Sequence, residues 1–240
     1  MPSEMGTYMK GHKLLEMVLE AYQEALETLQ DFCYPCTCSR KQLNLVAEHG
    51  LYGLIYPGTC RNKPPHPPPL GATAIRLRVP HETICFQDAV QGLFCQNLAQ
   101  TLGDFIIRRA DGLYAYQLAV VVDDAWQNIS HIIRGADLLD NTPRQMYLQT
   151  LLGLPQPQYL HIPIATYTDG QKLSKQTKAA PIPTENKAEK LKTLCATLQF
   201  LGQTPPHFDN FSSLADCWQW ALTHWNSRRI PAQRQLEQTP

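Results

Sequence analysis

The sequence predicts an α/β fold with a parallel sheet, and three observations carry that prediction. From Leu118 onward, apolar runs alternate with a helical pattern and end in a glycine-containing turn followed by a basic loop. Ahead of them, clustered cysteines and a stretch of period-two alternation mark a small antiparallel tract of a different character. Beyond residue 181, apolar residues recur at three- and four-residue steps, the spacing of two helices.

Composition narrows the class. A chain of 240 residues, 43% hydrophobic, is long enough for one good core or two small ones. Lysine plus arginine equals aspartate plus glutamate at 21 each, so the net charge is zero. A nucleic-acid binder usually carries a global basic excess, so any RNA contact here must use local patches. The polar N-terminus and the lack of a long apolar span predict a soluble, cytoplasmic monomer with no membrane segment. Eight cysteines suit metal binding better than a disulfide framework.

The elements follow in order. Leu14, Leu15, Val18, Leu19, Tyr22, Ala25, Leu26 and Leu29 form the apolar stripe of a packing helix that ends near Asp31 and Phe32. Cys33, Cys36 and Cys38 come next, and Cys60 follows Tyr56-Pro57-Gly58. Between them Ser39 and Gln42 make a capping box for a short helix that ends before Gly50, with His49 at its end. Cys36 and Cys38 can reach one ion from a tight turn. Cys60 and one oxygen or nitrogen donor would complete a tetrahedron, and the Tyr56 phenol is close enough in sequence to be that donor. Cys33 is a competing ligand, and buried reduced cysteines are the alternative to zinc.

The proline-rich run Pro64–Pro69 is an extended connector. Residues 73–79 alternate, with Ile75, Leu77 and Val79 on one face and Arg76 and Arg78 on a wet, basic one. Ile84–Phe86 is its expected partner strand. Ala110-Asp111-Gly112 between two apolar runs signals a hairpin. Leu118–Val122 stops at Asp123 and Asp124. These two invite a metal-site reading, which is disfavoured because adjacent residues on a strand point to opposite faces. Ile129–Ile133 reads as a strand, Thr142–Gly153 as a capped helix with Pro143 in its first turn, and Tyr159–Ala165 as the next strand. Glu185–Phe200 and Ser212–Trp225 are the C-terminal helices, the second presenting Leu214, Ala215, Trp218, Ala221, Leu222 and Trp225. The tail from Arg228 is polar and expected to fray.

Lys172-Leu173-Ser174-Lys175-Gln176 follows the last strand, where open α/β sheets place ligands. Two lysines three apart suit a phosphate, and such a loop can close over a nucleotide. Arg134, at the carboxyl end of the preceding strand, can share that crevice. Taken on their own, Tyr116 reads as a core aromatic and Arg134 as a surface ion-pair partner.

Four motifs occur in order: Cys36-x-Cys38 with Tyr56-x3-Cys60, Ala115–Asp124, Arg134-Gly-Ala-Asp-Leu-Leu139, and Lys172–Gln176. Together they resemble the glutamyl-queuosine tRNA(Asp) synthetases, truncated paralogues of the class I glutamyl-tRNA synthetases. The resemblance runs from about residue 14 to residue 203, and Lys172–Gln176 is similar to the second class I signature, KMSKS. It implies a partial Rossmann-like catalytic domain with a zinc-binding insert. It further implies zinc on Cys36, Cys38, Tyr56 and Cys60, glutamate on Tyr116 and Arg134, and ATP, with Mg²⁺, on Lys175. The implied activity is ATP-dependent activation of glutamate and its transfer to queuosine in tRNA(Asp), with no residue assigned as a general base.

The domain expectation is a remaining N-terminal helix (1–32), the zinc knob and antiparallel insert (33–104), the second half of the catalytic domain (105–180) and a helical C-terminal segment (181–240). One departure from the family pattern stands out. No HIGH-like sequence occurs, so the expectation is a chain lacking the first signature segment, with adenylate formation lost. Only 64 residues follow Gln176 (240 − 176), which the resemblance sets against an ordinary glutamyl- or glutaminyl-tRNA synthetase with its large anticodon-binding domain. A fragment of such an enzyme, or a non-enzymatic zinc-containing relic that binds RNA or a partner, are the other readings.

Overall fold

In the computed structural model, residues 4–63, 73–174, 179, 181–182 and 185–237 are described, with side chains from Glu16 onward. Lys175, Gln176 and the proline-rich run 64–69 lie outside the described residues. Helix α1 (Glu4–Thr28) closes through a 3-10 turn, Gln30–Phe32, into strand β1 (Cys33–Cys36). Helix α2 (Arg40–Val46) starts from the capping box: the Ser39 hydroxyl accepts the Gln42 N–H while the Gln42 side chain accepts the Ser39 N–H. Strands β2 (Glu48–Gly50) and β3 (Gly53–Ile55) form a short antiparallel hairpin. His49 therefore lies on a strand rather than at a helix end, because Ala47 is already extended.

Strand β4 (Ala74–Leu77) does not pair with β5 (Thr83–Asp88). It lies between β1 and β7 (Phe105–Arg108) in a three-stranded antiparallel sheet. β5 instead pairs with β6 (Gly92–Asn97), across a turn from Ala89 to Gln91, and Cys85 is disulfide-bonded to Cys95. Cysteine use is thus mixed, one bridge beside a cluster of thiols, where metal binding was favoured over a disulfide framework. A single turn of helix α3 (Leu98–Thr101) follows, and Gly103 in the left-handed region (φ 72°) leads into β7. The Asp111-Gly112 turn returns the chain only to one bridge, Arg108 with Tyr114.

Leu118–Val122 is not a strand. It belongs to helix α4 (Tyr116–Trp126), where Leu118, Val121 and Val122 fall on one buried stripe. Asp123 accepts the Tyr22 hydroxyl at 2.6 Å, a tie between α1 and α4. Strand β8 (His131–Gly135), a 3-10 turn (Ala136–Asn141) and helix α5 (Thr142–Leu151) come next. Strand β9 (Gln158–Ile162) pairs parallel with β8, as the α/β pattern requires. Pro163 separates β9 from β10 (Ile164–Thr166), since proline has no N–H to give a ladder.

Helices α6 (Lys187–Phe200) and α7 (Leu214–His224) bury Leu191, Cys195, Leu198, Phe211, Cys217 and Ala221 between them. Trp218, Leu222 and Trp225 are exposed, so the buried stripe of α7 lies one residue off the expected one. The tail does not fray throughout, because β11 (Gln235–Glu237) pairs parallel with β10.

The chain forms two compact units. The first holds residues 1–86, 95–130 and 140–157. Its core is Ala25, Leu29, Leu77, Val79, Leu98, Phe105, Ile107, Leu118, Val121, Val122 and Leu148. The second holds residues 87–94, 131–139 and 158–240. Among the described residues, no helix is long and apolar enough to cross a membrane.

Candidate active site and metal centre

The first unit carries a thiol cluster. Strand β1 ends on Cys36, Cys38 precedes the Ser39 cap, and the Gly58 turn (φ 74°) brings Cys60 back toward both. The three sulfurs lie within 4.8 Å of one another, and among the described residues no other such group could hold a metal ion. Cys38 Sγ is 3.5 Å from Cys60 Sγ, and the Tyr56 hydroxyl is 3.5 Å from Cys36 Sγ and 3.9 Å from Cys38 Sγ. Four donors about 2.3 Å from a tetrahedral zinc stand about 3.7 Å from each other, so these spacings fit a shared ion. Cys33 packs against the hydrophobic core instead, and burial pushes its thiol up to about 12.

A buried cation stands against the cluster. Arg76, expected on a wet face, is buried: its Nε donates to Cys36 Sγ at 3.2 Å and its Nη1 to the Asp104 carbonyl at 2.6 Å. Its guanidinium lies 3.7 Å over the Tyr56 ring. A buried cation needs such partners, and alternation alone could not reveal them. At Cys60, burial pushes the thiol up, but hydrogen bonds involving the Thr37 backbone, Cys38, Tyr56 and Cys36 outweigh it and bring the value down to about 7. Burial and a hydrogen bond with Cys60 push Cys38 up to about 11, and burial also raises the Tyr56 phenol. Tyr56 is further fixed by its hydroxyl, which accepts the Cys60 N–H at 2.9 Å.

The second unit carries a polar constellation on the parallel pair. Arg134 on β8 stands opposite His161 on β9, and its Nε donates to His161 Nε2 at 2.9 Å. The same guanidinium lies 5.6 Å from the Tyr159 ring centre. His161 Nδ1 is 2.6 Å from Asp88 Oδ2, and both side chains are fully buried. At the end of β10 the chain turns at Gly170 and returns, so that Lys172 bridges Thr166 and Leu173 N–H donates to the Ala165 carbonyl at 2.9 Å. Lys172 makes an ion pair with Asp137, just beyond the carboxyl end of β8. Gly135 makes room for that aspartate, because a Cβ there would meet Asp137 Oδ1 at 2.5 Å.

Sequence-predicted residues divide accordingly. Cys36, Cys38, Tyr56 and Cys60 come together, whereas Arg134, Lys172, Leu173 and Ser174 share the second unit. Tyr116 opens helix α4 in the first unit and is 54% exposed, so it is not a core aromatic. Arg134 is half-buried, and its Nε is bonded to an imidazole. Sequence reading placed Arg76 on a wet face and assigned no role to Asp88 or His161. A histidine within an otherwise apolar strand was the available signal for the last of these.

Residues 68–233 match the catalytic domain of class I tRNA synthetases (E and Q). The Pseudomonas fluorescens glutamyl-Q tRNA(Asp) synthetase is 52% identical over 218 residues, covering 88% of this chain and 68% of that protein. The chain belongs to the glutamyl-Q tRNA(Asp) synthetase family. A second member, from Thiobacillus denitrificans, is 48% identical over 213 residues, 88% of this chain and 69% of its own length. The family is one of class I, ligase-type synthetases directed at glutamate.

Among solved structures, the glutamate-tRNA synthetase from Elizabethkingia anophelis superposes with a TM-score of 0.67 at 19% identity, covering 89% of this chain and 50% of that one. A glutamate tRNA ligase from Elizabethkingia meningosepticum gives 0.65 at 19% identity, with 89% and 49% covered. These likenesses establish the fold. The chain spans about two thirds of the curated relatives and half of the solved structures.

Proposed function

We propose that this chain serves ATP-dependent activation of glutamate and transfer of the glutamyl group to queuosine in the anticodon of tRNA(Asp). The observation that carries the reading is Arg134, held through its Nε at the carboxyl end of a parallel strand, within the unit that also carries the Lys172 loop. A planar guanidinium is suited to a carboxylate, and the ends of parallel strands are where such sheets bind ligands. Tyr116 and Arg134, which belong to different compact units, are each assigned to glutamate. Lys175 is assigned to ATP, with Mg²⁺ as its companion, and the segment 172–176 to the KMSKS role.

In the first step a glutamate carboxylate oxygen attacks the α-phosphorus of ATP and pyrophosphate leaves. In-line attack needs little beyond positioning and charge stabilisation, which Arg134 and Lys175 would provide. In the second step a hydroxyl of the queuosine cyclopentenediol takes the glutamyl group and AMP leaves. Zinc on Cys36, Cys38, Tyr56 and Cys60 would supply a structural tie between β1 and the Gly58 turn. The buried Arg76 offsets part of the negative charge those ligands would bring. The protein is assigned to the cytoplasm as a monomer.

The 240 residues contain no HIGH-like sequence. Activity is therefore tested on a fusion carrying the His-containing signature segment of a class I relative ahead of Met1, with the unfused chain as baseline. The fusion should catalyse glutamate-dependent ATP–pyrophosphate exchange without tRNA. Arg134→Lys keeps the charge but loses the fork, so the glutamate KM should rise roughly 10- to 150-fold and the ATP KM far less. Exchange that ignores glutamate, or equal effects on both substrates, would contradict the assignment.

A further inference from the structure

Asp88 and His161 are buried polar residues that the reading above does not use, and both lie within the unit that holds Arg134. An arginine Nε can only donate, so the His161 Nε2 that meets it at 2.9 Å must be an acceptor. The imidazole is then neutral with its proton on Nδ1, and that nitrogen donates to Asp88 Oδ2 at 2.6 Å. Asp88 is itself over-determined. Its Oδ1 accepts the N–H groups of Val90 at 2.9 Å, Gln91 at 2.8 Å and His161 at 3.2 Å. Burial pushes its carboxyl up, but the His161 bond and these backbone donors prevail and hold it below the usual carboxylate value.

The β5–β6 turn is secured on β9 by separate contacts. Ala89 N–H donates to the Tyr159 carbonyl at 3.0 Å, and Gln91 Nε2 to the His161 carbonyl at 2.9 Å. Holding the turn in place therefore does not require the imidazole to face Arg134. Its orientation has a different consequence: the guanidinium is pinned at Nε, with the Tyr159 ring on one side.

We propose that Asp88 and His161 are positioning residues for Arg134. Asp88 sets the His161 tautomer, and the Nε2 lone pair fixes the plane in which the guanidinium fork meets the glutamate carboxylate. This rests on the reading of Arg134 as a glutamate contact. A fork fixed before the substrate arrives loses less freedom on binding than a mobile one.

Asp88→Asn is the informative substitution. It keeps the shape, and its amide oxygen can still accept the Val90 and Gln91 N–H groups, but it aims an amide N–H at Nδ1. The tautomer must reverse, leaving Nε2 as a donor facing the Arg134 donor. In the unfused chain labelled with ¹⁵N-histidine, wild-type His161, assigned by its loss in His161→Gln, should show the Nδ1–H tautomer at neutral pH. Asp88→Asn should show Nε2–H, with the Arg134 Nε–H exchanging faster with water.

In the fusion, Asp88→Asn should raise the glutamate KM about ten- to a hundredfold, the range typical when the partner orienting a liganding histidine is lost. The ATP KM should stay within about twofold, within the margin of a distant site. His161→Gln, which restores an acceptor oxygen near Nε2, should recover much of the glutamate affinity lost in His161→Phe, and thermal melts identify any variant that merely fails to fold. A wild-type His161 protonated on Nε2 overturns the proposal. So does an unchanged glutamate KM in Asp88→Asn while Arg134→Lys raises it, an outcome that leaves the Arg134 reading intact. If Arg134→Lys itself has no effect on glutamate, that reading fails and the positioning role falls with it.

Discussion

Tyr56 holds two places at once: its oxygen lies 3.5 Å from Cys36 Sγ and its ring lies beneath Arg76. Tyr56→Phe keeps the ring and removes the oxygen. Purified wild type should carry one equivalent of zinc after dialysis, and Tyr56→Phe should surrender it to a chelator faster. Cys60→Ser should not retain it, and equal retention by all three proteins would remove zinc from this site. Lys175 belongs to the same scale. Lys175→Ala in the fusion should lower kcat for adenylate formation ~10²–10³-fold, as when one transition-state electrostatic contact is lost. Transfer from preformed glutamyl-adenylate should be nearly unchanged, and a parallel fall in both steps would give the loop a different role. Asp88 adds a pH signature. Its folded-state value is depressed below 3.8, so its stabilisation is present above that value and fades as pH falls through the depressed one. Urea unfolding between about pH 5 and pH 2 should show a shallower acid loss in Asp88→Asn than in wild type. The clustering of the three cysteines was readable because close spacing and a turn glycine bring the thiols together. Arg76 was not, because its partners, Cys36 Sγ and the Asp104 carbonyl, are distant from it in sequence.

Helix α2 and the Gly103 turn flank the thiol cluster. Ser39→Ala removes the acceptor for the Gln42 N–H and should cost about 1 kcal/mol, measured by chemical unfolding of the metal-loaded protein. Gly103→Ala should cost more than about 1 kcal/mol, because φ is 72° and the new Cβ would meet the Tyr56 carbonyl oxygen at 2.3 Å. A neutral result there would mean the Tyr56 backbone can retreat without loss. Caps and turn glycines are local chemistry, and the elements they bound were legible: α1, α2, α5, α6 and the β8–β9 pair. Leu118–Val122 was harder, since three valines in a short apolar run suit strand or helix alike. Contacts from α1 and α5 decide for helix, and its i, i+3, i+4 stripe is evident once the start at Tyr116 is known. The pairing of β11 with β10 depends on long-range register, which alternation does not encode.

At the scale of the whole molecule, the order of motifs along the chain was the most legible feature. The family match and the solved-structure likenesses agree with it. What motif order leaves open is the acceptor, because the same α/β framework serves several glutamate-directed synthetases. The most direct test is transfer of labelled glutamate by the fusion to three RNAs: queuosine-containing tRNA(Asp), tRNA(Asp) lacking queuosine, and tRNA(Glu). The account predicts acid-precipitable label on the first alone. Label on tRNA(Glu), or equal label on tRNA(Asp) with and without queuosine, would contradict it.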